Sequence, residues 1–310
     1  MIFDIQRGVA EDYKAAKESL AHRFRPAAVL DVRGPDALAF LQGQLTQDLR
    51  ALAAGETRPA AALTPKGKLL FLARVLGAPG GARLLLPAGE RESALAHLMK
   101  FVISQKVEIA DRSDAFVRLA LYGPGALEFA VPEGATRLPE EGEVATEVLS
   151  PAAERESLER ALELAGSVPL TEEVAEVLRV EAGRPRFGQD ADSGNLADEV
   201  GLQDAISTTK GCYVGQEIVA RMRTYGRVNR RLVGFQFPEG LLEPGSILIL
   251  PDEAGPGKVE QGRVTSAVLS PLFGAIGLGY AFRDVPVGGR LLSAADPSRG
   301  AVVRALPFSE

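Results

Sequence analysis

The sequence contains a single cysteine, Cys212, among its 310 residues. One cysteine excludes an intrachain disulfide, so the chain lacks the disulfide framework of a small secreted domain. It also cannot supply the four thiolates that usually hold an iron–sulfur cluster. The two histidines, His22 and His97, have no metal-ligand motif around them. We therefore expect no intrinsic metal ion or iron–sulfur cluster within one chain.

Positive charge is not in excess either, because 41 acidic residues outweigh 35 Lys and Arg residues and leave a net charge of −6. This balance argues against general nucleic-acid binding, although a local basic patch could still bind a polyanion.

The N-terminal stretch lacks the apolar segment of a signal peptide. The most apolar window, residues 264–282, is interrupted by Pro271 and by glycines, which favours strands over a membrane helix. We predict a cytoplasmic protein.

The residue pattern differs between the two parts of the chain. Residues 1–225 mix helical and strand periodicity, whereas residues 226–310 contain short β-type runs between Pro and Gly turns. The length allows two or three domains. We therefore predict an α+β fold, with an α+β region over 1–225 and an antiparallel β-barrel or sandwich of roughly 80 residues over 226–310.

Local patterns predict the individual elements of the first region. Strands are predicted over 27–32, 58–63, 68–76, 83–86, 106–110 and 116–121. Helices are predicted over 90–101, 125–130, 154–164 and 171–180. Thr46 is predicted to cap a short helix that ends near Gly55, and Thr171 to cap the helix that follows it. Residues 131–147 are predicted to form a surface connection that contains one short strand.

The most distinctive stretch is Lys210-Gly211-Cys212-Tyr213-Val214-Gly215-Gln216-Glu217. A cysteine reacts as its thiolate, which nearby cations and helix N-termini stabilise. Lys210 lies two residues before Cys212, and the pattern predicts a helix from Gly215 to Arg223. Cys212 then precedes a helix N-terminus, where unpaired N–H groups favour negative charge. The stretch therefore indicates a reactive thiol.

Each of these residues also has a simpler interpretation. A lone cysteine can be a small buried hydrophobe, and Gln216 and Glu217 can be ordinary helix-start residues. Arg221 and Arg223 can form a solvated helix face. They can also bind an anionic ligand tail, since arginine binds carboxylates and phosphates well. The residues alone leave these alternatives open.

Several stretches resemble the YgfZ-type folate-binding proteins, which are relatives of the glycine-cleavage T-protein (aminomethyltransferase). The octapeptide 210–217 is the most specific of them. Gln42-Gly43-Gln44-Leu45-Thr46-Gln47-Asp48 resembles the N-terminal motif of these proteins, and Leu178-Arg179-Val180-Glu181-Ala182-Gly183 resembles their central motif. Residues 262–271 resemble their C-terminal barrel. The resemblance covers most of the chain.

The resemblance implies a three-part T-protein-like fold. Two ferredoxin-like α+β units are followed by a C-terminal antiparallel β-barrel, and a folate channel lies between the parts. The implied function is binding of tetrahydrofolate, or a one-carbon derivative, in support of iron–sulfur cluster assembly or repair in client enzymes, including tRNA-modifying enzymes. The implied reactive pair is Cys212 with Lys210, in a motif supported by Gly211, Tyr213, Gly215, Gln216 and Glu217.

The folate-binding residues that the resemblance implies are Glu181, Phe187 and Arg223. Glu181 would anchor the pterin, because a pterin presents two adjacent N–H donors and an ionised carboxylate accepts both side by side. Phe187 would stack near the pterin, although an aromatic residue at this place can equally belong to the core. Arg223 would meet the anionic part of the ligand.

One position separates the accessory proteins from the transferases. The T-protein carries an aspartate that assists aminomethyl transfer, and the matching positions here hold Phe71 and Leu72. Without a carboxylate, an acid/base role lacks its group. The T-protein branch also lacks the Lys-Gly-Cys motif. We therefore expect an accessory protein without classical turnover. The alternatives are a folate-dependent aminomethyl or one-carbon transferase and a tRNA-binding module, for which the net charge gives no support.

Overall fold

The computed structural model describes residues 7–139, 142–224, 226, 228–251 and 259–309. Its helices are α1 (Arg7–Glu18), α2 (Ala37–Gln44), α3 (Arg91–Lys100), α4 (Arg155–Leu164), α5 (Glu172–Glu181), α6 (Ala197–Val200) and α7 (Gln216–Thr224). Its strands are β1 (Ala21–Arg25), β2 (Val29–Arg33), β3 (Thr57–Leu63), β4 (Leu69–Ala78), β5 (Gly81–Leu85), β6 (Glu108–Asp111), β7 (Phe116–Tyr122), β8 (Thr136–Leu138), β9 (Thr146–Pro151), β10 (Val168–Pro169), β11 (Arg230–Gln236), β12 (Ile247–Ile249), β13 (Gly262–Ser270), β14 (Gly274–Phe282), β15 (Arg290–Ser293) and β16 (Gly300–Arg304).

One five-stranded sheet has the order β3-β4-β5-β2-β6. It is antiparallel throughout and pairs the predicted hairpin strands in register, for example Ala61 with Leu72. Helices α2 and α3 pack against it, and Leu41, Phe71 and Leu98 lie in their shared buried core. All five strands of this sheet lie between Val29 and Asp111.

A second five-stranded sheet has the order β10-β1-β7-β9-β8. Side chains alternate between its two faces, as the strand period of two requires. On β7, Leu119 and Leu121 pack towards α4, whereas Ala120 and Tyr122 pack towards α1 and α5. Because β1 precedes the first unit and β7 follows it, the two α+β units are interleaved along the chain.

The C-terminal strands form a closed six-stranded barrel in the order β11-β14-β13-β12-β15-β16. Its interior contains Phe235, Leu248 and Val264. Helix α5 packs against the outside of the barrel, where Val177 and Val180 contact β13 and β14 side chains. The prediction of α+β units followed by a β-barrel is confirmed.

The helix predicted from Thr46 to Gly55 was wrong, because this stretch is an extended loop. The Thr46 hydroxyl donates to the Ala205 carbonyl at 2.6 Å and accepts from the Ala61 N–H at 2.9 Å. Thr46 therefore ties three segments together instead of capping a helix. In contrast, Thr171 caps α5 as predicted, since its hydroxyl accepts from the Val174 N–H.

The helix predicted over residues 125–130 was also wrong and is reduced to a single 3-10 turn at Pro124–Ala126. The Arg137 guanidinium donates to the carbonyls of Ala126 and Phe129. A side chain thus satisfies carbonyls that a continuing helix would have paired with its own amides.

The predicted boundary between residues 225 and 226 lies at the edge of the described residues. Positions 225 and 227 fall outside them, and so do positions 140 and 141 of the predicted connection. The boundary stays a prediction. The short strand expected in that connection is β8, and β9 begins at its end.

Candidate functional site

The thiol segment, residues 207–217, is an irregular stretch that leads into α7. Cys212 lies in it as an exposed thiol, four residues before the first helical residue, Gln216. Gly215 adopts a φ of +84°, and a Cβ there would lie 2.6 Å from the Thr64 carbonyl oxygen. Only glycine allows both this conformation and this close approach without strain. Because Cys212 is exposed, the alternative of a buried structural cysteine is excluded.

Lys210 fastens the thiol segment to the N-terminal motif. Its ammonium donates to the carbonyls of Gln42, Leu45 and Gln47 at 2.6, 2.5 and 2.9 Å. The residue is only 5% exposed, and this burial lowers the pKa of its ammonium to about 8. The ammonium also lies 4.9 Å from the centroid of the Tyr213 ring. Lys210 is thus an anchoring cation whose donors are taken by backbone carbonyls.

Further hydrogen bonds join the same two motifs. The Val214 N–H donates to the Gly43 carbonyl at 3.2 Å, and the Ser207 N–H donates to the Thr46 carbonyl at 3.1 Å. The Gln47 side-chain amide donates to the Asp204 carbonyl at 2.7 Å. Two stretches about 165 positions apart in sequence therefore form one structural unit, and Cys212 projects from it. Within the described residues, Cys212 has no hydrogen-bond or ion-pair partner.

The polar residues of α7 are arranged along its exposed side. A cavity of 560 Å³ lies there, lined by Glu217, Ala220, Arg221 and Thr224. Arg223 forms a 3.4 Å ion pair with Asp198, so it is already engaged on the protein surface. The first turn of α7 carries Glu217, as expected for an acidic residue near a helix N-terminus.

Glu181 is a buried carboxylate at the end of α5, with 4% of its surface exposed. The Tyr13 hydroxyl donates to its two oxygens at 2.9 and 3.1 Å. The Ser270 hydroxyl donates to Oε1 at 2.7 Å, and the Lys17 ammonium lies 3.0 Å from Oε2. Protein donors from α1 and from the end of β13 therefore occupy this carboxylate. Its role as a pterin anchor stays a prediction.

Arg179, in the same central motif, joins α5 to the barrel. Its guanidinium donates to Asp190 at 2.7 Å and to the Ser266 hydroxyl at 2.8 Å, and it pairs with Glu176. Asp190 in turn accepts from Ser266 at 2.6 Å. All but Glu176 are nearly fully buried. Sequence reasoning assigned no role to Arg179 or Asp190, because the contacts come from three separate segments.

Phe187 lies half-buried in a cluster that links the α+β units to the barrel. The same cluster includes Leu72, Tyr213 and Tyr280. The structure thus brings Phe187 into the same cluster as Tyr213 of the thiol segment. Glu181 contacts a different set of residues, around Tyr13 and Ser270, so the predicted folate residues are not all in mutual contact.

Sequence reasoning also missed the carboxylate of Glu90. It lies beside Leu72, one of the two positions where a carboxylate was expected to be lacking. Glu90, 5% exposed, accepts from the Leu72 N–H at 2.9 Å. Burial raises the pKa of this carboxyl to about 7. Pairing between β4 and β5 ends at Arg74 and Leu85, so Glu90 covers a backbone N–H that β5 does not reach. No sequence signal indicated this, because Glu90 comes from the 3-10 turn Ala88–Glu90, just before α3.

The described residues contain neither a cluster of metal ligands nor a membrane-spanning helix. Over the ranges that the structure describes, His, Cys, Asp and Glu side chains do not gather in threes as metal ligands would. None of the helices in those ranges combines the length and the apolar character that a bilayer crossing requires.

Known proteins are similar to this sequence over most of its length, although no protein-family profile matches it. An aminomethyltransferase of Rubrobacter xylanophilus is 31% identical over 302 residues, which cover 89% of this chain and 79% of the relative. The tRNA-modifying protein YgfZ of Serratia proteamaculans is 31% identical over 225 residues, covering 66% of this chain and 67% of the relative. The chain is a YgfZ-type member of the T-protein (aminomethyltransferase) superfamily. The family assigned from the motifs is thereby confirmed.

One solved structure has the same fold over nearly the whole chain. The glycine cleavage system aminomethyltransferase T of Bartonella henselae superposes with a TM-score of 0.86, covering 97% of this chain and 90% of that one, at 21% identity. At this identity, the match bears on the fold alone. The predicted T-protein-like fold is confirmed.

Proposed function

We propose that this protein binds a reduced folate and supports the assembly or repair of iron–sulfur clusters in client enzymes, with Cys212 as its reactive group. The observation that carries this proposal is the presentation of the thiol. An exposed Cys212 projects from a segment that Lys210 fastens to the N-terminal motif through three carbonyls. Burying the Lys210 ammonium costs free energy, and the packing of the segment alone would not require a buried cation there.

The thiol is suited to act on another molecule. One thiolate cannot hold a cluster alone, and Cys212 has no second cysteine in its chain for a disulfide. Its chemistry therefore needs a partner that supplies the remaining ligands or thiols. Iron–sulfur client enzymes are partners of this kind, and the tRNA-modifying name of YgfZ relatives supports tRNA-modifying enzymes among them.

The folate part of the proposal rests on Glu181 and on the aminomethyltransferase relatives. A buried carboxylate is complementary to the paired N–H donors of a pterin, and removing the carboxylate would leave those donors unpaired. Phe187 supplies an apolar face within the cluster between the α+β units and the barrel. Arg223 would bind the anionic tail after leaving its ion pair with Asp198.

The proposal is tested by complementation with Cys212→Ser in the source organism after deletion of its own gene. The readout is the level of tRNA nucleosides made by iron–sulfur enzymes, measured by mass spectrometry, with Thr209→Ser as the matched control. We expect the control to restore the nucleosides and Cys212→Ser to fail at equal protein level. Full restoration by Cys212→Ser would refute the thiol's role.

Glu90 favours a second candidate function, an aminomethyl or one-carbon transferase. Its carboxylate lies on the Leu72 N–H, next to the positions where the transferases carry their aspartate. A pKa near 7 suits a general acid or base at neutral pH. Transfer of an aminomethyl group to tetrahydrofolate by the wild type, lost in Glu90→Gln, would establish this function in place of the accessory role.

A further inference from the structure

The donors around Glu181 come from the end of strand β13 and from helix α1. Ser270 is buried, and the N–H groups of Leu272 and Phe273 donate to its hydroxyl at 3.0 and 2.9 Å. Its contact with Glu181 is therefore fixed by the β13–β14 turn. Tyr13 and Lys17 come from α1, where Tyr13 is half-buried and the Lys17 side chain is 44% exposed.

The Tyr13 hydroxyl occupies a particular edge of the carboxylate. It lies at similar distances from both oxygens, 2.9 Å from Oε1 and 3.1 Å from Oε2. A group equidistant from the two oxygens faces the bidentate side of a carboxylate. Two parallel N–H donors approach a carboxylate from that same side. A pterin edge and the Tyr13 hydroxyl therefore compete for the same place.

We propose that Tyr13 is a gate on Glu181, and that a reduced folate binds this carboxylate only by displacing the Tyr13 hydroxyl. This inference rests on the proposed role of Glu181 as the pterin anchor. Ser270 and Lys17 keep their contacts during the exchange, since each bonds a single oxygen and leaves the bidentate side open. The gate thus lowers folate affinity without removing the charge that attracts the pterin.

The gate remains a hydrogen-bond donor at all ordinary pH values. Burial, together with the negative charge of Glu181, raises the pKa of the Tyr13 hydroxyl well above its usual value. Competition between Tyr13 and the ligand is therefore not relieved by mild alkali. It is relieved by removing the hydroxyl.

The test is a calorimetric titration of 5-formyltetrahydrofolate into the wild type, Tyr13→Phe and Tyr122→Phe. Tyr122 is the matched control, because it is buried in the same cluster as Tyr13 without contacting Glu181. The loss of one competing hydrogen bond should tighten binding by about three- to tenfold in Tyr13→Phe. Tyr122→Phe should match the wild type. A pterin without the benzoylglutamate tail, 6-methyltetrahydropterin, should show the same ratio.

The possible results separate this inference from the proposed function. Unchanged or weaker binding by Tyr13→Phe, with binding still weakened in a parallel titration of Glu181→Gln, would overturn the gate and leave the anchor in place. An absence of binding by both the wild type and Tyr13→Phe would overturn the folate function and the gate together. Tightening in Tyr122→Phe as well would show a general loosening of the cluster and would also overturn the gate.

Discussion

Replacing Glu90 with glutamine should stabilise the protein at neutral pH and leave its stability unchanged in acid. Glu90 is a buried carboxyl whose bond from the Leu72 N–H at 2.9 Å is the one hydrogen bond assigned to its side chain in the described structure. Glutamine keeps an acceptor oxygen for that N–H. It removes the ionisable group while conserving the shape of the side chain.

The magnitude follows from the raised pKa of Glu90, which is about 7 in the folded protein against 4.5 as its ordinary value. Below pH 4.5 the Glu90 carboxyl is protonated in both the folded and the unfolded states, so the free energy of unfolding is not reduced by its ionisation. Between pH 4.5 and 7 the unfolded state ionises first, and the free energy of unfolding falls. The accumulated loss at pH 8 is roughly 3 kcal/mol, which Glu90→Gln should recover.

The assay is urea unfolding of the wild type and Glu90→Gln at pH values from 4 to 8. Glu92→Gln is the matched control, because Glu92 lies two residues further along the chain and its side chain is 92% exposed. The difference in free energy of unfolding between Glu90→Gln and the wild type should grow from near zero at pH 4 to its full size at pH 8. A difference that stays constant over this range would refute the reasoning.

Two further substitutions test how the site is held. Gly215→Ala should cost about 1–3 kcal/mol of unfolding free energy, because its φ is +84° and a backbone oxygen lies against the new Cβ. Gly211→Ala, with open space around it, should stay within about 0.5 kcal/mol in the same chemical denaturation, and equal losses would contradict this account. Arg179→Met should destabilise the protein by about 3–5 kcal/mol, since it leaves the buried Asp190 without its cation. Arg283→Met, whose pair is solvent-exposed, should have little effect on the thermal midpoint, and a similar fall in both variants would count against the role of Arg179.

The local elements could be predicted from the sequence where periodicity or a capping residue determines them. The hairpin strands β3 to β5 and the Thr171-capped helix α5 lie within a few residues of their predicted bounds. Other elements were missed, including α1 and β9. The false helix after Thr46 was predicted because threonine is a common capping residue. A threonine hydroxyl can bond distant backbone groups as readily as a helix N-terminus.

The residues of the candidate site could be proposed from the sequence, but their contacts could not be predicted. The Lys210 octapeptide indicated an unusual segment, and an exposed Cys212 agrees with a reactive thiol. The target of Lys210, three carbonyls more than 160 positions away in sequence, leaves no local pattern. Glu90 and Tyr13 were missed for the same reason, since each acts on a residue from another element.

The most direct test of the central claim is a calorimetric titration of 5-formyltetrahydrofolate into the wild type and Glu181→Gln, with Glu173→Gln, an exposed residue of the same helix, as control. The wild type and the control should bind the ligand with equal affinity. Glu181→Gln should bind about 30-fold more weakly, which corresponds to about 2 kcal/mol for a charged hydrogen-bond acceptor. No binding by the wild type, or equal binding by all three proteins, would contradict the account.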